Sequence, residues 1–308
     1  MQKTHFHEGE LMIQNKYNIH HDPRLAEMML KDHISNRYVA FIEHQSTIII
    51  ATEDEDGNQW TSMLLAAPNF VKVKSSKQLN LNLDKLQTTT TDILFKNINP
   101  DSKIGILFID TATRSRYRLN GRASILRNVI EITVTEAYPN CPKYIQQRIP
   151  HIINDNSGLG NEVVKGSSLT QEFLSLIKQA DTFFMSSRNS DGDMDASHRG
   201  GDPGFIEILE DGILKIPDYS GNNLFNSLGN FMQIPKAGIL FIDFDKGHSL
   251  QLTGATELLF DQNSDHDLYR TTNTGRYWLF KTKQWISTSF HNKIDWELVS
   301  FSPFNPTL

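Results

Sequence analysis

The sequence predicts a mostly β chain with peripheral helices, an α+β protein built from two tandem antiparallel barrels. Three observations support this fold class. An internal repeat divides the 308 residues, apolar and polar residues alternate with a period of two in both copies, and tight-turn residues separate the alternating runs. A strand places successive side chains on opposite faces, so the alternation indicates sheets with a buried face.

The hexapeptide GILFID marks the repeat, at residues 105–110 and again at 238–243. From there an offset of 133 residues continues without gaps to Gly121 and Gly254. The chain is therefore a tandem duplication, with copies at 41–150 and 173–260, and two copies are too few for a solenoid. Upstream, an offset of 135 aligns further pairs: Asp56 with Asp191, Ser62 with Ser197, Pro68 with Pro203, Phe70 with Phe205 and Pro100 with Pro235.

Each copy begins with two predicted hairpins. STIIIATEDEDGNQWTSML and ADTFFMSSRNSDGDMDASH place an Asp-Gly turn between strand-like runs, and NFVKVKSSKQLNLNL and GFIEILEDGILKIPD alternate about a short turn. A helix-sized segment, the GILFID strand and one more alternating strand follow. About six strands per copy predict a small antiparallel barrel. LTQEFLSLIKQA has the apolar spacing of the helix that starts the second copy.

These patterns divide the chain into four parts. We predict an N-terminal extension over 1–40, a first barrel over 41–150, a linker over 151–172, and a second barrel with a C-terminal extension over 173–308. The linker is predicted because INDNSGLGNEVVKGSS is polar and rich in glycine.

Composition excludes several classes of protein. A net charge of −6 offers no polycationic surface for nucleic acid. The single cysteine, Cys141, excludes an intrachain disulfide and a cysteine-based zinc site, which is typical of a reducing cytoplasm. The N-terminus lacks the apolar core of a signal peptide, and no run approaches the roughly 20 apolar residues that span a bilayer. We therefore expect a cytoplasmic protein with no nucleic-acid or membrane partner.

Two stretches of the second copy are candidates for binding an anionic ligand. DASHRGGDPGF places Arg199 directly before Gly200 and Gly201, and arginine suits phosphate while glycine allows close approach of the backbone. The first copy has WTSMLLAAPNF there, without the charge or the glycines. PDYSGNNLFNS places polar side chains where a helix begins, a position that favours phosphate. Ordinary turn and cap residues would look the same, and the sequence leaves both interpretations open.

At these residues the chain resembles a known family. ADTFFMSS, DGDMDASHRGGDPGF, LKIPDYSGNNLFNSLGNF and AGILFIDF are similar to the pyridoxamine 5'-phosphate oxidase-like, FMN-binding split-barrel family. FHEGE, NCPKYIQQR and SPFNP resemble its tandem-barrel members. The resemblance covers nearly the whole chain and implies two six-stranded split barrels, FMN in a cleft between them, and a flavin-dependent redox role.

The resemblance also implies which residues contact FMN. The strand matching DASHRGG lies along the flavin ring, and PDYSGNN with the following helix reaches the phosphate and ribityl chain. Strand alternation separates Ser197 and Arg199 from His198. We favour Arg199 as the cation for the phosphate or the reduced ring, with an ion pair to Asp195 or Asp202 as the alternative. The predicted contacts are Ser197, His198, Arg199, Gly200, Tyr219, Ser220, Asn222, Asn223, Ser227 and Asn230.

The first barrel offers further cations. Arg114, Arg116 and Arg118 alternate onto one face of the strand TRSRYRLNG, which is either a solvated stripe or a source of one arginine, Arg116, for the cleft. Lys143 is a second candidate, and Arg148 could also bind an anion.

Nucleophilic and metal chemistry are not predicted. Cys141 has no recognisable histidine and carboxylate beside it. His5, His7 and Glu8 could ligate a metal, but no second cluster with ligand spacing follows, so we predict none.

We therefore expect an FMN-binding oxidoreductase that acts on a small molecule, with an electron donor such as NAD(P)H. A non-enzymatic flavin-binding or flavin-sensing protein is the alternative, as is a binder of deazaflavin or haem. Oxidation of pyridoxamine phosphate is not expected. The family's RxVLLK-type strand is replaced by ASHRGG and TSMLLA, and SPFNPTL lacks its terminal arginine-histidine motif. The sequence leaves open whether the barrels pair within one chain or in a homodimer.

Overall fold

The structure, a computed structural model, describes residues 6–88, 90–152, 162–289 and 294–306. Two large antiparallel sheets dominate these residues. No helix in this part of the chain combines the length and apolarity needed to cross a bilayer. The helices are α1 (Glu8–Lys16), α2 (Pro23–Met29), α3 (Val39–Glu43), α4 (Leu94–Asn97), α5 (Gln171–Gln179), α6 (Asn226–Gln233) and α7 (Asp265–Arg270).

The first copy forms one sheet with strand order β2-β1-β5-β6-β7-β4-β3. A two-residue turn region at Asp56-Gly57 joins the first pair of strands, and Gly57 has the positive φ of 71° that such turns favour. The strands are β1 (Thr47–Glu53), β2 (Gln59–Leu65), β3 (Val71–Ser75), β4 (Gln78–Asn82), β5 (Ser102–Asp110), β6 (Ser115–Leu126) and β7 (Val129–Pro139).

The second copy repeats this topology. After β8 (Gln147–Ile152) and β9 (Val163–Gly166), its sheet has the order β11-β10-β14-β15-β16-β13-β12, and β9 pairs with β16. A separate ribbon joins β8 to the last strand, β17 (Ile294–Ser300). The remaining strands are β10 (Thr182–Arg188), β11 (Met194–Gly200), β12 (Glu207–Ile208), β13 (Leu214–Pro217), β14 (Lys236–Asp243), β15 (His248–Leu259) and β16 (Tyr277–Ser289).

The predicted fold class, mostly β with two tandem antiparallel barrels, is confirmed. Each sheet path has seven strands, not the six that the repeat pattern predicted, because the predicted six lacked β7 and β16. The alternation of VIEITVTEAY was available as a signal for β7.

Two of the predicted parts have more structure than expected. The predicted linker contains β9, which extends the second sheet. The predicted N-terminal extension contains α1, which packs against α6 and places Ile13 in the core of the second barrel. Both segments are polar overall, so their few buried residues gave no clear pattern in the sequence.

The two barrels pair within the chain. Along β1, Ile48 and Ile50 face the core of the first barrel, whereas Ile49 and Ala51 face the second barrel. The same interface contains Leu240 from the second GILFID strand. A strand that is buried on both faces has a continuous run of apolar residues, which explains the apolar run in GILFID.

The glycine of each GILFID strand lies where the barrels touch. A Cβ atom on Gly105 would lie 2.7 Å from the Met194 carbonyl oxygen, and one on Gly238 would lie 2.5 Å from the Gln59 carbonyl oxygen. Each glycine therefore meets the other barrel's backbone, and the two contacts are equivalent in the repeat. No side chain fits there without moving the barrels apart.

Replacing Gly105 with alanine should lower the free energy of unfolding by about 1–3 kcal/mol, because the added methyl group overpacks the interface. Denaturant unfolding measures this loss. Gly221→Ala is the control, since a Cβ atom there would have open space within 4 Å. Equal losses in the two variants would contradict the tight contact at Gly105.

Candidate functional site: a cationic cleft between the barrels

A cleft of about 900 Å³, including its open mouth, lies between the two barrels. The first barrel contributes β6 and residues 140–144, and the second contributes β11, residues 217–228 and Arg276. Among the described residues that line the cleft, one is a carboxylate, Asp218. Five are cationic: Arg116, Arg118, Lys143, Arg199 and Arg276. This excess of positive charge favours an anionic ligand.

Arg118, a buried cation of β6, crosses from the first barrel to the second. Its Nη2 donates to Ser197 Oγ at 2.6 Å, and its Nη1 donates to Tyr138 Oη at 2.7 Å. Ser197 Oγ lies 3.2 Å from Ser227 Oγ in the first turn of α6. Arg118 is buried, and its Nε has no hydrogen-bond partner among the described residues.

Helix α6 begins beside this arginine. Its N-cap residue, Phe225, has a left-handed backbone with φ of 63°, and no side chain caps the helix. The first-turn N–H groups therefore lack a side-chain acceptor, and they carry the positive end of the helix dipole. We call Arg118, Ser197, Ser227 and the first turn of α6 the anion site.

Carboxylates lie behind the anion site and outside the cleft lining. Asp195 Oδ1 accepts from Asn120 at 2.9 Å, and its Oδ2 accepts from Asn230 at 3.0 Å. It also lies 3.6 Å from Arg118 Nη1. Burial and the Asp195 charge raise the pKa of Glu136 to about 7. Against the cost of burial, Tyr138 and Asp195 raise the pKa of Arg118, and its Nε is left without a partner among the described residues.

Arg199 is held on the cleft wall by a carboxylate. Its Nη1 donates to Asp218 Oδ1 at 2.8 Å, and Arg276 Nε donates to Asp218 Oδ2 at 2.9 Å. Arg276 also packs over the rings of Tyr17 and Phe225. Arg199 does form an ion pair, but its partner is Asp218, not Asp195 or Asp202.

Arg116 and His198 form a second contact between the barrels. Arg116 Nη1 lies 3.3 Å from His198 Nδ1, and its Nε donates to the Cys141 carbonyl at 2.7 Å. Burial and the Arg116 charge lower the pKa of His198 well below its ordinary value. His198 is therefore neutral, and it accepts from Arg116 through Nδ1 when its proton lies on Nε2.

The repeat allows the anion site to be compared with the equivalent residues of the other copy. These residues make the same hydrogen-bond contacts, but their charges differ. Gln251, the counterpart of Arg118, donates to Ser62 Oγ at 3.0 Å, just as Arg118 donates to Ser197. Asp92 replaces Ser227, and its Oδ1 accepts from Ser62 Oγ at 2.6 Å and from the Leu94 N–H at 2.8 Å.

We call Ser62, Asp92, Gln251 and the start of α4 the twin site. In the twin site, the carboxylate of Asp92 contacts both Ser62 and the start of α4. Among the residues that the structure describes, no such carboxylate lies in the anion site, and the anion site has an arginine where the twin site has a glutamine. One of the two equivalent positions is therefore filled by Asp92, and the other is suited to an anion from outside the chain.

Most of the predicted site residues meet in the cleft. Gly200 is required structurally, since a Cβ atom there would lie 2.1 Å from the Tyr144 carbonyl oxygen of the first barrel. The predicted residues that line the cleft are Arg116, Lys143, Ser197, His198, Arg199, Gly200, Tyr219, Asn222, Asn223 and Ser227.

Ser220 and Asn230 do not line it. Ser220 is exposed, and its N–H donates to Thr272 Oγ1. Asn230 is buried behind the wall and bonds to Asp195 and Ser187. Two other cations of the first barrel lie outside the cleft lining: Arg114 donates to Ser300 Oγ in the C-terminal segment, and Arg148 pairs with Asp181.

The metal prediction concerns residues at the edge of the described chain. His5 lies outside the described residues, and His7 Nε2 lies 3.6 Å from Glu10 Oε2. Glu8 is exposed at the start of α1. The described residues contain no group of three or more side chains able to hold a metal ion.

Helix α1 and His21, which follows it in the chain, hold the segment that carries the anion site. Glu10 Oε1 accepts from Asn226 Nδ2 at 2.5 Å, Gln14 donates to the Leu224 carbonyl, and His21 Nε2 lies 2.9 Å from the Asn223 carbonyl. Burial raises the pKa of Glu10 to about 9, so its carboxyl is protonated at neutral pH.

The contribution of Glu10 to the free energy of unfolding should fall as pH rises. Its pKa is about 9 in the folded state but near the ordinary value of 4.5 in the unfolded state. Between the unfolded and folded pKa values, only the folded state holds the proton, and the free energy of unfolding falls by about 1.4 kcal/mol per pH unit for this group. Denaturant unfolding at pH 5.5 and pH 8 should show a smaller drop for Glu10→Gln than for the wild type. Parallel losses would contradict a neutral Glu10.

Comparison with known proteins finds only distant similarity. No family model and no curated protein matches the sequence. A pyridoxamine 5'-phosphate oxidase-related, FMN-binding protein from Nostoc punctiforme is 11% identical, with a TM-score of 0.27 over 44% of this chain and 100% of the other. The FAD-binding protein from Mycobacterium smegmatis is 11% identical, with a TM-score of 0.24 over 36% and 97%.

A protein of the pyridoxine phosphate oxidase family from Clostridium acetobutylicum, related to general stress protein 26, is 15% identical. Its TM-score is 0.29, over 42% of this chain and 92% of the other. Each of these matches covers less than half of this chain. The residues of the cleft therefore carry the assignment of function.

Proposed function

We propose that the cleft binds one FMN per chain and that the protein is a flavin-dependent oxidoreductase. One observation carries the proposal. The anion site and its twin share one framework, yet Asp92 fills the twin while the anion site offers Arg118 and the start of α6. A phosphate group meets the requirements of such a site, namely negative charge and several acceptor oxygens.

The donors present fit a phosphate monoester. Arg118 Nε is buried without a partner, Ser197 and Ser227 offer hydroxyl groups, and the uncapped first turn of α6 offers N–H groups. Tyr219 Oη, further along the cleft, is also buried without a partner among the described residues. A ligand with a phosphate at one end and polar atoms along its length would satisfy these groups together.

When bound, FMN would supply the hydride or electron transfer, which is the chemistry of the cofactor. The chain's own residues would bind and orient it. Arg118 holds the phosphate, β11 and residues 140–144 form opposite walls, and Tyr144 and Tyr219 pack against each other with ring centroids 5.0 Å apart. Neutral His198 adds no charge to the walls, and Asp218 holds both Arg199 and Arg276 in place, so these three charged groups together leave one positive charge in the cleft.

The absorption spectrum of the purified protein tests the proposal. We expect a yellow protein that releases FMN on denaturation, or a colourless one that is reconstituted with FMN at one equivalent per chain. Anaerobic reduction of the bound flavin by NAD(P)H, with turnover when an acceptor is added, would identify an enzyme. A protein that is colourless and takes up no FMN would contradict flavin binding, and bound FMN without turnover would leave a flavin carrier.

A further inference from the structure

The cleft holds more positive charge than the FMN phosphate requires. Arg199 and Arg276 share Asp218, and Arg118 belongs to the anion site with Asp195 behind it. The described residues place no carboxylate within ion-pair distance of the two remaining lining cations, Arg116 and Lys143. This inference rests on the proposed function, since it assigns the phosphate of FMN to Arg118.

Arg116 is fixed in position but not neutralised. The Cys141 carbonyl and His198 Nδ1 accept from its Nε and Nη1, and both acceptors are uncharged. Burial and the neighbouring Arg118 charge lower the pKa of Arg116, which shows that its charge is held unfavourably. An anion beside it would relieve this cost.

Lys143 lies two residues beyond Cys141, whose carbonyl anchors Arg116. Its Nζ lies 5.5 Å from the centroid of the Phe304 ring, a contact that positions the ammonium group without neutralising it. Both cations line the same cleft, and both come from the first barrel, opposite β11. Arg116 and Arg118 are two residues apart on one strand, so their Cα atoms are separated by roughly 7 Å.

We infer that Arg116 and Lys143 form a second anion subsite, which binds the carboxylate or phosphate group of an anionic substrate beside the flavin. The substrate is thus an acid or a phosphate ester with its anionic group beside Arg116 and Lys143. Residues 140–144 set this specificity, because they carry Lys143 and the carbonyl that orients Arg116.

Inorganic phosphate is a probe for both anion positions. Titration of the FMN-free protein, followed by calorimetry, should reveal two phosphates per chain, and saturating FMN should displace only one of them. Lys143→Met should lose the phosphate that survives in the presence of FMN, and Arg118→Met should lose the other. Lys74→Met, which removes an exposed lysine of β3, should keep both.

Arg116→Lys accompanies these variants, because it keeps the charge if loss of the guanidinium contacts perturbs folding. We expect it to retain the second phosphate with weaker affinity. A single phosphate per chain, or two that survive in Lys143→Met, would overturn the subsite. Displacement of both phosphates by FMN would also overturn it, since Arg116 and Lys143 would then contact the flavin itself. Two phosphates with no FMN binding would instead remove the proposed cofactor and keep the subsite.

Discussion

Replacing Arg118 with methionine should weaken FMN binding by about 2–3 kcal/mol, roughly 30- to 150-fold, because a charge-assisted contact to the phosphate is lost. Methionine keeps much of the side-chain volume, so the loss reports mainly on the charge. Quenching of FMN fluorescence during titration of the protein measures the affinity.

The twin site supplies a matched control for this variant. Gln251 occupies the equivalent position and makes the equivalent bond to Ser62. Gln251→Met should therefore leave FMN affinity unchanged while perturbing the fold to a similar degree. Equal weakening by both variants would show that the anion site is not where the phosphate binds.

Replacing Asp218 with alanine should lower the free energy of unfolding by about 3 kcal/mol or more, because two arginines lose their shared carboxylate. Asp218 is 5% exposed and Arg276 is 6% exposed, so the loss falls mainly on Arg276, which is left as a buried cation without a carboxylate. Denaturant unfolding of the FMN-free protein measures the effect.

The double variant Asp218→Ala, Arg276→Met tests the cause. Removing one of the unpaired charges should recover part of the loss, so the double variant should be more stable than the sum of the single changes indicates. Strict additivity would mean that the pairing of Asp218 with Arg276 contributes little, and that another role of Asp218 explains the loss.

The repeat and the period-two alternation were sufficient to predict the fold. Both signals are local or nearly so, since alternation reflects one buried face of each strand and the offset reveals the duplication. The predicted strand count missed β7 and β16, and the packing of α1 on the second barrel and of β9 in its sheet depends on contacts between residues far apart in the chain.

Only part of the site could be predicted, because comparison of the two copies reveals some site residues and others come together only in the folded chain. Comparing the two copies at residues 195–201 pointed to β11, and the same comparison of Arg118 with Gln251 would have identified Arg118 as the cation of the anion site. Asp218 and Arg276 carried no such signal. Asp218 reads as a turn residue and Arg276 stands alone in TGRYW, and only the folded chain brings Arg199 and Arg276 to one carboxylate.

The comparison of FMN with riboflavin tests the central claim most directly, because the two ligands differ only in the phosphate. The wild type should bind FMN at least about 100-fold more tightly than riboflavin, a difference of about 2.7 kcal/mol. In Arg118→Met this preference should largely disappear, while riboflavin affinity stays the same. If the wild type bound the two ligands equally, or if Arg118→Met kept the full preference for FMN, the anion site would not be a phosphate site.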